Sequence, residues 1–496
     1  VRTIGIILIL VCASLARAQE TLTIGSKSFT ESVLLGEILA ERARRQGLKV
    51  ESKAALLGTR LAFEAVRSGA IDVYPDYTGT LAGEIFADRG ISSEEDIRQA
   101  LQELGLEMSE PIGFNNTYAI GVMPETAQRL GLSTISDLRE HPELVFGFTN
   151  EFIDRNDGWR GLRSAYGLPQ ENIKGIAHEL GYNALGSGAI DAKELYSTDA
   201  RIESMGLVVL EDDLGYFARY DAVWVYRRDL SPEAKAAIES LTGILNESSM
   251  AQLNAMVEAD GREEADVARD YVDGIAQRGN VLTLHQRIAQ ALANMPRHTL
   301  EHAVLVGVSM LGAIAFAVPM GVLAARSRTF EQVVLGVSGI LQTIPSLALL
   351  ALLVSVLAMA NQIPAIVALF VYSLLPIVRN THAGLVQLPQ AVRDSAGSLG
   401  LPWGRMLLDV ELPLALPSIL AGIKTAVVIN VGTATLGGFV AAGGYGVPIL
   451  AGIRRDDEVQ ILAGLVPAAL MAIVLTLLVD SLERVLSPAG IRGVSR

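Results

Sequence analysis

Residues 68–78 read SGAIDVYPDYT, and residues 187–197 read SGAIDAKELYS. In both, Ser-Gly-Ala-Ile-Asp is followed, five residues after the aspartate, by a tyrosine (Tyr77 or Tyr196) and then by a hydroxyl side chain, Thr78 or Ser197. Glycine commonly ends a helix, and the apolar residues after it begin a strand. Each copy therefore reads as a helix end, a strand, and a tyrosine at the strand's C-terminal end. Ligands of open α/β sheets bind at that edge. The repeat predicts two lobes, each directing one tyrosine at a shared cleft.

The flanking sequence extends this pattern. TLTIGS, KVESKA, IDVYPDY, TYAIGVM, LVFGFTN and AVWVYR have strand character, and 31–46, 60–68 and 232–241 have amphipathic helical character. Alternation of this kind predicts an α/β fold with largely parallel sheets. The segment 19–278 is large for one such sheet and suited to two lobes. Tyr118 opens one strand and Tyr220 precedes another. Singly, each of the four tyrosines also reads as an amphipathic packing residue. Together they predict a box of π faces, suited to a cation without hydrogen-bond donors such as a quaternary ammonium. Lys27 falls in a strand-to-helix turn, where its charge and helix N-terminal amides would act together on an anion.

Charge divides the chain. The total is −14 over 496 residues, yet residues 296–496 carry 12 Lys and Arg against 10 Asp and Glu, which leaves −16 for residues 1–295. An acidic, polar part thus precedes an apolar part of nearly neutral charge, and the balance argues against nucleic acid as a partner. Cys12 is the one cysteine, which excludes a disulfide framework and Cys-based zinc sites. Residues 1–18, VRTIGIILILVCASLARA, have the form of a secretory signal ending in Ala16-Arg17-Ala18. Val11 before Cys12 disfavours a lipoprotein site.

Five apolar stretches follow, at 302–325, 332–360, 363–379, 412–439 and 460–482. A spanning helix needs about 20 residues, and the third stretch is the shortest. Arg326 and Arg328, then Arg379, Arg393 and Arg405, then Arg484, Arg492 and Arg496 fall on one side if the first span enters from outside. The expected arrangement in the bacterial inner membrane has the acidic domain on the periplasmic side and the C-terminus inside. The boundaries read 1–18 signal, 19–278 binding domain, 279–297 tether and 298–496 membrane domain. The segment 432–446, GTATLGGFVAAGGYG, reads equally as gate lining or as tight helix packing.

GSKSFTES at 25–32, YPDYTGT at 74–80, FNNTYAI at 114–120, EFIDRNDG at 151–158, YSTDARI at 196–202 and RYDAVWV at 219–225 resemble the binding proteins of osmoprotectant ABC importers, the glycine betaine/proline betaine type above all. The resemblance implies a two-lobed, type II-like α/β periplasmic binding protein. It implies that Tyr77, Tyr118, Tyr196 and Tyr220 cage the quaternary ammonium, and that Lys27, Thr80 and Arg155 hold the betaine carboxylate. Choline has no carboxylate to engage Arg155 and Lys27, so a betaine is favoured. Choline, carnitine and ergothioneine are the alternatives. Asn115 and Asn116, before Tyr118, depart from the betaine pattern and leave the substituent on nitrogen open.

The stretch LPQAVRDSAGSLG at 388–400, followed by LPWGRMLLDVELP, resembles the signature loop of ABC importer permeases. Asp394, Ser395, Ala396, Gly400, Leu412 and Pro413 stand at the signature places, with Asp-Ser-Ala for the usual Glu-Ala-Ala. The resemblance implies an all-α permease domain of about five helices, docking through this loop on a separate cytoplasmic ATPase. No G-x-x-x-x-G-K-[ST] is present, so the chain has no P-loop of its own. One set of five spans implies a homodimer in lipid. Catalytic residues, metal ligands and cofactors are not expected: G-x-S-x-G and H-E-x-x-H are absent. A membrane-anchored ligand sensor is the rival of a different class.

Overall fold

The computed structural model describes residues 21–56, 58–91, 93–277, 281–357, 359 and 361–486. The leader expected at 1–18, with Cys12, lies outside them. The chain divides into two compact units, one built chiefly from residues up to Thr283 and the other from Leu284 onward.

In the first unit, β1 (Thr21–Lys27), α1 (Thr30–Arg45), β2 (Lys49–Leu56), α2 (Gly58–Arg67) and β3 (Val73–Tyr77) form parallel strand pairs with helical crossovers. After β4 (Leu106–Met108) the chain enters a second lobe as β5 (Tyr118–Val122). There β6 (Phe146–Phe148), α3 (Asn150–Asp154), β7 (Ile173–Gly175), α4 (His178–Gly186), β8 (Ala192–Tyr196) and β9 (Val208–Leu210) follow. The chain then returns as β10 (Ala222–Arg227), with α5 (Glu247–Glu258) further on. The two sheets have the orders β2-β1-β3-β10-β4 and β7-β6-β8-β5-β9. Both follow one plan: three parallel strands, a reversed strand, then a fifth strand antiparallel to the reversed one. Four strands of each sheet thus run in one direction, as the expectation of largely parallel sheets has it, and one strand, β10 or β5, runs against them. The reversed member of each sheet adjoins a crossing between lobes and enters its sheet from the cleft side.

The repeated pentapeptide occupies equivalent places in the two lobes. Gly69 (φ +78°) and Gly188 (φ +72°) adopt the left-handed backbone that follows each helix. Asp72 Oδ2 accepts from the Thr23 N–H at 2.7 Å while the Asp72 N–H donates to the Thr23 carbonyl at 2.8 Å. Asp191 does the same with Val145, at 2.9 and 2.7 Å. Each aspartate thus fastens the strand it precedes, β3 or β8, to its parallel neighbour, β1 or β6, and Tyr77 and Tyr196 end β3 and β8. Two segments join the lobes side by side. Asn115 and Asp221 form an antiparallel bridge, and the Tyr220 N–H donates to Asn115 Oδ1 at 2.7 Å.

The second unit is all-helical: α6 (Leu284–Ala324), α7 (Arg328–Thr343), α8 (Ser346–Leu357), α9 (Gln362–Val386), α10 (Gln390–Ser398), α11 (Leu412–Ala434) and α12 (Glu458–Leu486). Among the described residues, four helical segments are long and apolar enough to cross a membrane, or five if α7 and α8 make one span. The stretch read as one span over 332–360 is in fact this pair, bent by 96°. Pro345 has no N–H to continue the helix and pushes Ile344 into an extended conformation (φ −65°, ψ 126°). The Tyr372 hydroxyl donates to the freed Ile344 carbonyl, as non-helical backbone in an apolar medium requires. The stretch 279–297, read as a tether, is helical from Leu284 on, as the first part of α6. Asn430, fully buried, donates to Ser309 Oγ at 3.0 Å and Ser373 Oγ at 2.9 Å, which ties α11 to α6 and α9.

The glycine-rich segment resolves toward tight packing. A Cβ on Gly446 would lie 1.8 Å from the Thr435 carbonyl oxygen, and one on Gly438 would lie 2.7 Å from the Gly446 carbonyl carbon, whereas Gly432 has nothing within 4 Å. Gly446→Ala and Gly438→Ala should each destabilise the chain by about 1–3 kcal/mol through overpacking. Gly432→Ala should be neutral. Thermal midpoints of the detergent-solubilised chain compare the three, and equal midpoints would refute the packing role.

Candidate functional site

A cavity of about 50 Å³ lies between the two lobes of the first unit, and Lys27, Tyr77, Thr80, Tyr118, Arg155, Tyr196 and Tyr220 all line it. The fold brings them together from both sheets. Lys27 ends β1, Tyr77 ends β3, and Thr80 lies in the turn after it. Tyr118 and Tyr196 are cross-strand partners on β5 and β8, Arg155 follows α3, and Tyr220 lies on the returning crossing. Phe29, Asn116 and Glu151 line the cavity as well.

The rings form a continuous wall. Tyr118 sits 5.4 Å from Tyr196 and 5.5 Å from Tyr220, the latter edge-on at 90°, while Phe29 links Tyr196 at 5.5 Å to Tyr77 at 6.2 Å. Such spacings suit attractive aromatic contacts. A Cβ at Gly79 would fall 2.6 Å from the Tyr220 ring, so the glycine of YPDYTGT makes room for that tyrosine.

Carboxylates hold the wall from behind. The Tyr77 hydroxyl donates to Glu31 Oε1 at 2.6 Å, and the Tyr220 hydroxyl donates to Asp157 Oδ2 at 2.7 Å. The Tyr196 N–H donates to Asp199 Oδ2 at 2.8 Å. Burial pushes the Glu31 carboxyl up, against the hydrogen bonds donated to it by Thr198, Tyr77, Asn254 and Asn116. The two cations of the cleft also have partners. Lys27 Nζ lies 2.5 Å from Asp76 Oδ1 and 5.3 Å from the Tyr77 ring centre. Arg155 grips Asp157 through Nε at 2.7 Å and Nη2 at 2.5 Å, with its Nη1 3.7 Å from Glu151. An ammonium has three N–H donors and a guanidinium five, so donors remain for an incoming anion.

Behind Tyr196, the His178 ring stacks at 4.3 Å and 22°. Its Nε2 lies 3.0 Å from Asp199 Oδ2 and its Nδ1 3.7 Å from Glu194 Oε1. Burial and the Lys193 ammonium pull the imidazole down, but Asp199 and Glu194 outweigh them and raise its pKa to about 9. Glu31, Asp157, Asp199 and His178 escaped the sequence reading. Glu31, Asp157 and Asp199 lie inside the quoted motifs and His178 outside them all, and only their placement behind the rings gives them a role. Phe29, inside GSKSFTES, was the legible omission.

In the membrane unit, α10 carries Asp394 and Ser395 on its exposed side and Ala396 buried, and Gly400 turns the chain with φ +73°. Leu412 and Pro413 begin α11. The residue before them, Glu411, is 1% exposed, lies 3.2 Å from Arg393 Nε on α10 and bonds to Arg326 just beyond α6. This buried carboxylate, unmarked in the sequence reading, fixes the loop helix to the end of α6.

A histidine whose folded pKa lies above its unfolded value contributes stability in full below about pH 6.5 and loses it as pH rises through the folded value. For His178 that window ends near pH 9. The thermal midpoint of the wild-type chain should therefore fall more steeply between pH 7 and 10 than that of His178→Gln. Parallel profiles would contradict a charged His178.

Two family models match the chain. The substrate binding domain of ABC-type glycine betaine transport system matches residues 20–274, and the binding-protein-dependent transport system inner membrane component matches residues 317–491. Among relatives, the osmoprotectant import permease protein OsmW of Salmonella typhimurium is 40% identical over 216 residues, 42% of this chain and 99% of that protein. The ergothioneine transport permease/ergothioneine binding protein EgtU of Helicobacter pylori is 30% identical over 263 residues, 51% of this chain and 48% of that one. A solved glycine betaine/carnitine/choline ABC transporter structure is 29% identical with a TM-score of 0.43, covering 51% of this chain and 98% of its own. Two sheets flanking an aromatic cleft, a helical unit and the two family matches lead to one assignment: the chain belongs to the family of the glycine betaine ABC-transport substrate-binding domain, joined to a transport-system inner membrane component, and is a membrane protein of an osmoprotectant ABC importer.

Proposed function

We propose that this chain binds a betaine between its two lobes on the periplasmic side and passes it through its own membrane domain. Work is supplied by a separate cytoplasmic ATPase docked on the 390–413 loop. The observation that carries the substrate is the polarity of the cleft. Five aromatic rings form one wall, and Lys27, Thr80 and Arg155 supply donors beside it. A betaine has the matching halves, a cation without N–H groups for the π faces and a carboxylate for charge-assisted hydrogen bonds. Choline, carnitine and ergothioneine are carried by named relatives of this chain, and the existing Lys27–Asp76 and Arg155–Asp157 pairs keep choline, which lacks a carboxylate, in contention.

The remaining parts follow from the membrane unit. Arginines cluster after α6, between α9 and α11, and at the C-terminal end, which favours those places on the cytoplasmic side. Asp394 and Ser395 face outward on α10, and Leu399 is 80% exposed beside them, a surface suited to a docked ATPase. Two copies of the chain around one two-fold axis would complete a translocation pathway.

Calorimetric titration of the full chain in nanodiscs with glycine betaine, proline betaine, carnitine, choline and ergothioneine tests the substrate. A betaine should bind tightest. Tyr118→Ala should weaken it about tenfold or more, since a desolvated cation–π contact contributes ~2 kcal/mol. Arg155→Ala should weaken betaines and leave choline unchanged. Choline binding tightest and ignoring Arg155→Ala would overturn the betaine while keeping the importer.

A further inference from the structure

Glu31 is the second residue of α1, is 3% exposed, and does not line the cleft. Its Oε1 accepts from the Tyr77 hydroxyl at 2.6 Å and from Asn116 Nδ2 at 2.8 Å. Its Oε2 accepts from Thr198 Oγ1 at 2.5 Å and from Asn254 Nδ2 at 3.0 Å. Every partner can donate, and a carboxylate can accept at all four positions. The first turn of a helix further favours negative charge.

The origin of the donors matters more than their number. Tyr77 ends the third strand of the first lobe. Thr198 stands two residues beyond Tyr196, which ends the third strand of the second. Asn116 lies on the crossing between lobes, and Asn254 lies on α5, where its amide also donates to the Thr198 carbonyl at 3.2 Å. One carboxylate of the first lobe therefore gathers a wall ring of its own lobe, the crossing, and the loop that carries a wall ring of the other. Separating the lobes would remove Thr198 from Glu31 and leave a buried oxygen short of a donor, which is costly.

We propose that Glu31 is a positioning residue that latches the second lobe over the cleft through Thr198 while holding the Tyr77 ring in the ligand wall. It acts on the ligand only through those two groups, and its effect on affinity rests on the reading of the cleft as the betaine site. Glu31→Gln keeps the shape but turns one oxygen into a donor facing donors. Thr198→Val removes only the bond between lobes and leaves Tyr77 anchored.

The test uses the full chain in nanodiscs. Spin labels at the exposed positions Gln102→Cys and Glu171→Cys, in a Cys12→Ala background, report the separation of the lobes with and without glycine betaine. Both variants should shift the ligand-free distance distribution toward the open form and raise the glycine betaine Kd about tenfold or more, the weight of a lost hydrogen bond to a charged group. The dissociation rate should rise with it. Thr198→Val strips one donor from Glu31 and should lower the thermal midpoint less than Glu31→Gln, while still opening the lobes, which separates latching from folding. Distributions unchanged in both variants would overturn the latch. Wild type that binds none of the five ligands, with variants that still open, would overturn the betaine reading and leave the latch standing.

Discussion

Four carboxylates stand behind the cleft, Glu31 and Asp76 buried and Asp157 and Asp199 half-buried, and the rest of the binding unit depends on them. Glu31 holds the Tyr77 hydroxyl, Asp157 holds both Arg155 and the Tyr220 hydroxyl, Asp199 holds the Tyr196 backbone and His178, and Asp76 holds Lys27. A buried carboxylate is costly unless its lone pairs are satisfied. Here the groups that satisfy them are the rings and cations facing the ligand. Stability and recognition share the same bonds, so the rings stand in place before a ligand arrives and little ordering remains to oppose binding.

The two-lobed plan puts those carboxylates where they act. Each sheet fastens β3 to β1, or β8 to β6, through an aspartate, Asp72 or Asp191, and ends the fastened strand at a tyrosine. Because the chain crosses twice between lobes, a reversed strand is inserted into each sheet, and the crossing segments deliver Tyr118 and Tyr220 to the same cleft. The membrane unit uses the same device at its loop. Buried Glu411, paired with Arg326 and Arg393, ties α10 to the end of α6.

Much of this was legible in residues. The pentapeptide repeat marked the equivalence of the lobes because its glycine, aspartate and tyrosine each have a local backbone task. Apolar runs marked the spanning helices, since a spanning helix has to satisfy its own backbone inside hydrocarbon. Where expectation failed, a single residue or a long-range pairing decided. Pro345 broke a run that hydropathy reads as continuous, and the one reversed strand in each sheet, set by the crossings between lobes, had no local mark.

The sequence by itself determined the division into an acidic two-lobed unit and an apolar helical one, the tyrosines and cations of the cleft, and the turn at Gly400. The division rests on composition and hydropathy and the tyrosines on their places at strand ends, while Arg155 was marked through resemblance to a known family. Tertiary structure alone decided that Glu31 meets Thr198 167 positions away, that Asp157 joins Arg155 to Tyr220, and that Gly446 packs on Thr435. The reason is physical: a buried carboxylate takes its meaning from the donors that surround it, and those are chosen by the fold, not by neighbours in the chain.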